Sequence, residues 1–76
     1  MSDLIIHFGL TVRASREARG WSQELLAAKA NLNRSYVGEI ERGSTTPSII
    51  TLEKLAGALE VSPGRLLDRC AERRAN

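Results

Sequence analysis

The stretch NRSYVGEIERG, residues 33–43, sets two arginines, a serine, a tyrosine and two glutamates at helical spacing, groups that hydrogen-bond rather than react. Arg34 opens what reads as a helix after an Asn33 cap. A helix N-terminus carries roughly half a positive charge, so a cation there is mildly unfavourable unless an anion shares the position. No carboxylate adjoins Arg34 in the sequence, so the anion is sought outside the chain. On a wheel of about 100° per residue, Val37 and Ile40 fall together and face the core with Leu26 and Leu32. The opposite arc carries Arg34, Ser35, Gly38, Glu39 and Arg42. Tyr36 sits at the margin, where its ring packs while its hydroxyl reaches water or a ligand. Glycine inside a helix costs about 1 kcal/mol against alanine, so Gly38 reads as a bare spot where another surface comes close.

Catalysis finds no footing. With one histidine, one cysteine and no paired acid and base, no reaction class can be assembled, and no enzyme, metal, cofactor or small-molecule ligand is expected. His7 reads as a surface or partly buried imidazole and Trp21 as core filler. Recognition remains. Two helices joined by a tight turn, the second exposing donors from its first turn, suit insertion of that second helix into the DNA major groove. Arg34 then takes guanine O6 and N7 in bidentate fashion or clamps a phosphate, and Ser35 addresses a neighbouring base or phosphate. Ser22 and Gln23 open the second helix, where the Gln23 amide and free backbone N–H groups hold a phosphate. Arg42 with Ser44, Thr45 and Thr46 grips the backbone on the far side. Glu39 either pairs with Arg42 at i,i+3, accepts from cytosine N4, or holds Arg34 or Arg42 in a useful rotamer. Glu41 reads as a solvated or internally paired charge, and most single arginines, Arg16 included, as solvated surface groups.

The elements that must position this arc follow from punctuation, which divides the chain into five helices at roughly 4–19, 23–30, 34–42, 49–60 and 63–73. In the first, Ile5, Phe8, Val12 and Ser15 recur at three- and four-residue steps until Gly20 stops the pattern. Ser22 caps the second, which buries Leu26, Ala27 and Ala30. Asn31 tolerates the left-handed backbone that a sharp turn needs. The third stops at Gly43. Ser48 caps the fourth, with Ile49, Leu52, Leu55, Ala56 and Leu59 on one stripe and Val61 closing it. Ser62-Pro63 opens the fifth, with Leu66, Leu67 and Cys70. No segment alternates with period two, so the fold class is all-α: a compact five-helix bundle in a single domain, 1–76.

A chain of 76 residues buries only about 60% of its unfolded surface. One cysteine forbids an internal disulfide, so stability rests on a well-formed helical core or on a second subunit. Leu67, Cys70 and Ala71 are the candidate dimer-facing residues. The net charge of +2 permits nucleic acid without requiring it, while Arg69, Arg73 and Arg74 make a basic end. LIIHFGL is too short for a secretory core, and no run approaches the roughly 20 apolar residues of a membrane span. An unpaired cysteine without an export signal points to the cytoplasm.

The run SQELLAAKANLNRSYVGEIERGSTTPSIITLEKLAGALEVSPGRLL resembles the lambda-repressor-like (Cro, phage-repressor, XRE-type) helix-turn-helix transcription regulators. The likeness lies in the SQE-x-LA start of the second helix, the Y-V-x-x-I-E-R-G recognition helix, P-S-x-x-T-L-x-x-L-A in the fourth and A-L-x-V-S-P before the fifth. It extends from about Phe8 to Leu67. Within the family, N-L-N-R-S-Y and I-E-R-G-S-T-T-P-S-I resemble the controller proteins of restriction–modification systems. That implies a homodimer on near-palindromic double-stranded operators upstream of its own and the endonuclease gene, repressing or activating by occupancy, with RNA polymerase as a further partner. Phage- or chromosome-type repressors share most of these letters, and an antitoxin-like protein acting through protein partners is the other alternative. Asn31 replaces the family's usual turn glycine, Ser15 a large aliphatic, and Leu25 a polar residue that leaves an exposed apolar spot.

Overall fold

A computed structural model describes residues 3–75, with side chains through Arg73; the Arg74 side chain, part of the expected basic end, lies outside them. Five helices follow one another: α1 (Asp3–Ala18), α2 (Gln23–Ala30), α3 (Arg34–Glu41), α4 (Ile49–Ala58) and α5 (Pro63–Ala75). Helices are the regular elements among the described residues.

Side chains start four of them. Ser22 Oγ accepts from Leu25 N at 3.1 Å, Asn33 Oδ1 from Ser35 N at 2.8 Å, Ser48 Oγ from Thr51 N and Ser62 Oγ from Arg65 N, both at 3.0 Å. Each bond occupies a backbone donor that the helix itself leaves unsatisfied. The first four helices stop alike, on one left-handed residue flanked by two closing backbone bonds. After α1 the residue is Gly20 (φ 72°), with Gly20 N donating to Glu17 O and Trp21 N to Arg16 O. After α2 it is Asn31 (φ 55°), and after α3 Gly43 (φ 72°). After α4 it is Glu60 (φ 60°), with Glu60 N on Gly57 O and Val61 N on Ala56 O. The sequence reading carries α4 to residue 60. The helix ends two residues earlier, at Ala58, because Glu60 adopts a left-handed backbone for which a glutamate gives no signal.

Phe8, Val12, Leu26, Ala27, Ala30, Val37, Ile40, Leu55, Ala56, Leu59, Leu66 and Cys70 form one buried cluster, with Trp21, Leu32, Tyr36, Leu52 and Val61 packed on its edge. Helix α1 lies against α3 and α5, and α2 against α3 and α4. The α1–α3 approach is set by Gly9, where an added Cβ would overlap Ile40 O and come within 2.8 Å of Glu41 O. Backbone meets backbone there, and α3 is held at its C-terminal turn.

One expected core position moves outward. Ile49 is 84% exposed, and its neighbour Ile50 is 65% exposed. The α4 stripe begins inside the body at Leu52; one turn earlier the helix has left the core. Ile49 there lines an open apolar groove with Leu4, Ile5, Phe8, Leu52 and Leu67. Cys70 moves the other way. It is fully buried, so it belongs to the monomer's core and cannot face a partner, unlike Leu67 and Ala71, which are exposed.

Candidate nucleic-acid interface

Helix α3 is eight residues long and divided by face. Val37 and Ile40 are buried, whereas Arg34, Ser35, Glu39 and Arg42 are exposed. The Asn33 and Ser22 oxygens are committed to their caps, leaving the rest of each side chain outside. Tyr36 is half-buried, and its hydroxyl lies 3.2 Å from Thr51 Oγ1, which in turn is 3.0 Å from Ser48 Oγ. The phenol therefore ties α3 to the start of α4 as well as reaching the margin. Beyond the helix, Ser44 Oγ donates to Glu39 O at 3.1 Å. Ser44 and Thr46 are exposed and Thr45 is half-buried, so the loop hydroxyls gather past the C-terminal end of α3.

Arg34 is not without a carboxylate. Its Nε lies 3.8 Å from Glu24 Oε1 on α2, with side chains 62% and 77% exposed. The partner sits ten positions away in sequence and arrives only through the turn, which hid it from a search for adjacent acids. Gly38 also differs from expectation. It is buried, because the Arg42 guanidinium lies over it: an added Cβ would stand 3.1 Å from Arg42 Nη1 and 3.6 Å from Gln23 Oε1. The bare spot is covered by flexible side chains. Glu39 is exposed and forms no ion pair with Arg42 among the described residues, so the i,i+3 pair, one of the three roles read for it, is absent.

Below this face lies a polar anchor that the sequence reading missed. Arg16 Nε donates to Glu41 Oε2 at 2.8 Å and Arg16 Nη2 to Glu41 Oε1 at 3.0 Å, with side chains 11% and 3% exposed. Arg16 Nη1 donates to Trp21 O at 2.8 Å, and Gln23 Nε2 to Glu41 Oε1 at 3.0 Å. One buried carboxylate thus ties α1, the α1–α2 turn, the first residue of α2 and the end of α3. The hydrogen bonds that Arg16 donates to Glu41 raise the Arg16 pKa, against the lowering effect of burial, so the guanidinium stays charged. Arg16 is therefore not the solvated surface charge expected, and Glu41 takes the internally paired one of its two expected states. A signal existed: Arg16 follows buried Val12 by four residues and Glu41 follows buried Val37 by four, each a charge on a core stripe. Gln23, expected at a phosphate, has its amide nitrogen anchored inward and its Oε1 turned toward Gly38.

Elsewhere, His7 Nδ1 meets Asp3 O at 2.8 Å, and half-buried Trp21 carries Lys29 and Arg19 over its ring at 4.9 and 5.6 Å. Leu25 is exposed, as read. Among the described residues no cluster of three or more His, Cys, Asp or Glu side chains could hold a metal, and no helix is long and apolar enough to cross a membrane.

Two short helices joined at an αL turn, the second exposing arginine, serine and glutamate, define a helix-turn-helix motif of the kind that reads the major groove. Comparison with known proteins agrees. Residues 12–66 match the helix-turn-helix family, and the chain belongs to this family of DNA-binding transcription regulators. Over 62 residues it is 44% identical to control protein C.BamHI of Bacillus amyloliquefaciens, covering 80% of this chain and 76% of that one. It is 49% identical over 53 residues to the immunity repressor protein of Bacillus phage phi105, covering 70% of this chain but only 37% of the repressor. Among solved structures it is similar to the restriction–modification controller protein C.Esp1396I, a tetramer in complex with its natural 35 base-pair operator. That match has a TM-score of 0.93 at 32% identity and spans 100% of both chains.

Proposed function

We propose that the chain is a controller-type transcriptional regulator acting as a single helix-turn-helix domain. It binds near-palindromic operators as a homodimer, upstream of restriction–modification genes that include its own. The observation that carries this reading is the exposed ridge of α3, led by Arg34, on a body whose backbone superposes along its full length on an operator-bound controller protein. In this reading Arg34 and Ser35 meet bases or adjacent phosphates, and Glu39 reaches a base edge. The α2 N-terminus, Arg42 and the loop hydroxyls of Ser44, Thr45 and Thr46 hold the backbone on either side.

The controller reading is supported by the 44% identity to C.BamHI and by the TM-score of 0.93 to the operator-bound C.Esp1396I. For the dimer, the groove around Ile49 supplies the apolar surface. A second copy covers Leu4, Ile5, Ile49 and Leu67, where the α4 stripe runs off the monomer. Activation or repression then follows from where the dimer sits relative to RNA polymerase in the cytoplasm.

Selection of bound duplexes from a random pool tests the reading. We expect an enriched two-fold symmetric motif with half-sites about 10 base pairs apart. An asymmetric motif or no enrichment would overturn it.

A further inference from the structure

Arg34 is the first residue of α3 and Glu24 the second of α2, and the turn between the helices brings their charges together on the outer face. At 3.8 Å the contact exceeds hydrogen-bond length, and so exposed a pair adds little to stability. Its placement is more informative. The α2 dipole favours Glu24, whereas the α3 dipole disfavours Arg34. Glu24 is the carboxylate that answers that local mismatch. The contact is through Nε, so the carboxylate stands beside the guanidinium, and Nη1 and Nη2 hold no hydrogen bond among the described residues. These two nitrogens can engage guanine O6 and N7 in bidentate fashion. A carboxylate at the α2 N-terminus also lies where a phosphate strand would pass, and it repels every duplex alike.

We propose that Glu24 is a specificity-determining residue: it steadies Arg34 in a base-facing rotamer and opposes its collapse onto phosphates. The inference rests on the reading that α3 enters the major groove. A long arginine released from its neighbour takes whichever anion is nearest, and on random DNA that anion is a phosphate. Glu24 therefore trades affinity for all DNA against discrimination among sequences.

The test compares Glu24→Gln with the unaltered chain by fluorescence anisotropy, on the selected operator and on a scrambled duplex at one salt concentration. Glu24 is exposed and the replacement isosteric, so the fold should persist, as circular dichroism will check. We expect scrambled-duplex affinity to rise roughly two- to fivefold, the size of an exposed ion pair, with no matching gain on the operator. The operator-to-scrambled ratio falls by that factor. In an Arg34→Ala background the same replacement leaves the ratio unchanged. An equal rise on both duplexes, no change on either, or the same fall in ratio without Arg34 overturns the inference. Absence of any saturable complex with the unaltered chain overturns the DNA reading as well; a discriminating parent whose ratio ignores Glu24→Gln overturns this inference alone.

Discussion

At the scale of single residues, the most consequential side chain never reaches the outer face. Glu41 accepts from Arg16 twice and from Gln23 once, in a site from which water is nearly excluded. The pair's net worth against an apolar replacement is small, but removing one partner strands the other charge at a cost of about 3–5 kcal/mol. We therefore expect Arg16→Ala to shift the urea unfolding midpoint sharply downward. Arg16→Met combined with Glu41→Leu should recover most of the loss, since no charge is then orphaned. That double variant separates folding from recognition. Its Gln23 amide has lost its anchor, so operator affinity should stay below that of the unaltered chain while stability returns. If both recover together, the anchor only holds the fold and does not position the interface.

At the scale of elements, the local signals are legible and the long-range ones are not. Ser22, Asn33, Ser48 and Ser62 act within three residues of themselves, and Gly20, Asn31 and Gly43 stop helices by their own backbone preference, so each could be read from its letter. Glu60 escapes that reading because it adopts a left-handed φ against its type. Gly9 escapes it for a different reason: what demands the glycine is the carbonyl of Ile40, on another helix. We expect Gly9→Ala to destabilise by about 1–3 kcal/mol, the usual range for overpacking, in denaturant unfolding. This happens although alanine is the better helix former, because backbone cannot swing aside as a side chain can. A stabilising Gly9→Ala would mean that α1 and α3 separate more freely than the geometry allows. The outward arc of α3 was legible from periodicity. The Glu24–Arg34 approach and the burial of Gly38 under Arg42 were not, since both depend on how α2 and α3 cross.

The whole molecule measures 30 × 23 × 22 Å, so two copies side by side fit two successive major grooves, about 34 Å apart. The groove around Ile49 is where such a pair would meet. The proposed dimer would also account for the open apolar surface, since association adds burial that the monomer lacks. Ile49→Asp should leave the helical spectrum unchanged, because the side chain is 84% exposed. Sedimentation at micromolar concentration should turn from dimer to monomer, and operator binding should weaken with it. A dimer that survives Ile49→Asp places the interface elsewhere. Cys70→Ala should act differently, costing stability through its buried position without altering the association state.

The central claim concerns one guanidinium, and the most direct measurement is the affinity of Arg34→Ala for the selected operator and for a panel of its single-base variants. The account predicts a loss of roughly 1–3 kcal/mol on the operator, with discrimination erased at one base position per half-site and kept at the others. Gln23→Ala, on the backbone side, should weaken the whole panel evenly. A uniform loss for Arg34→Ala across the panel and on scrambled DNA would contradict the account, because the leading side chain of α3 would then be gripping phosphate instead of reading sequence.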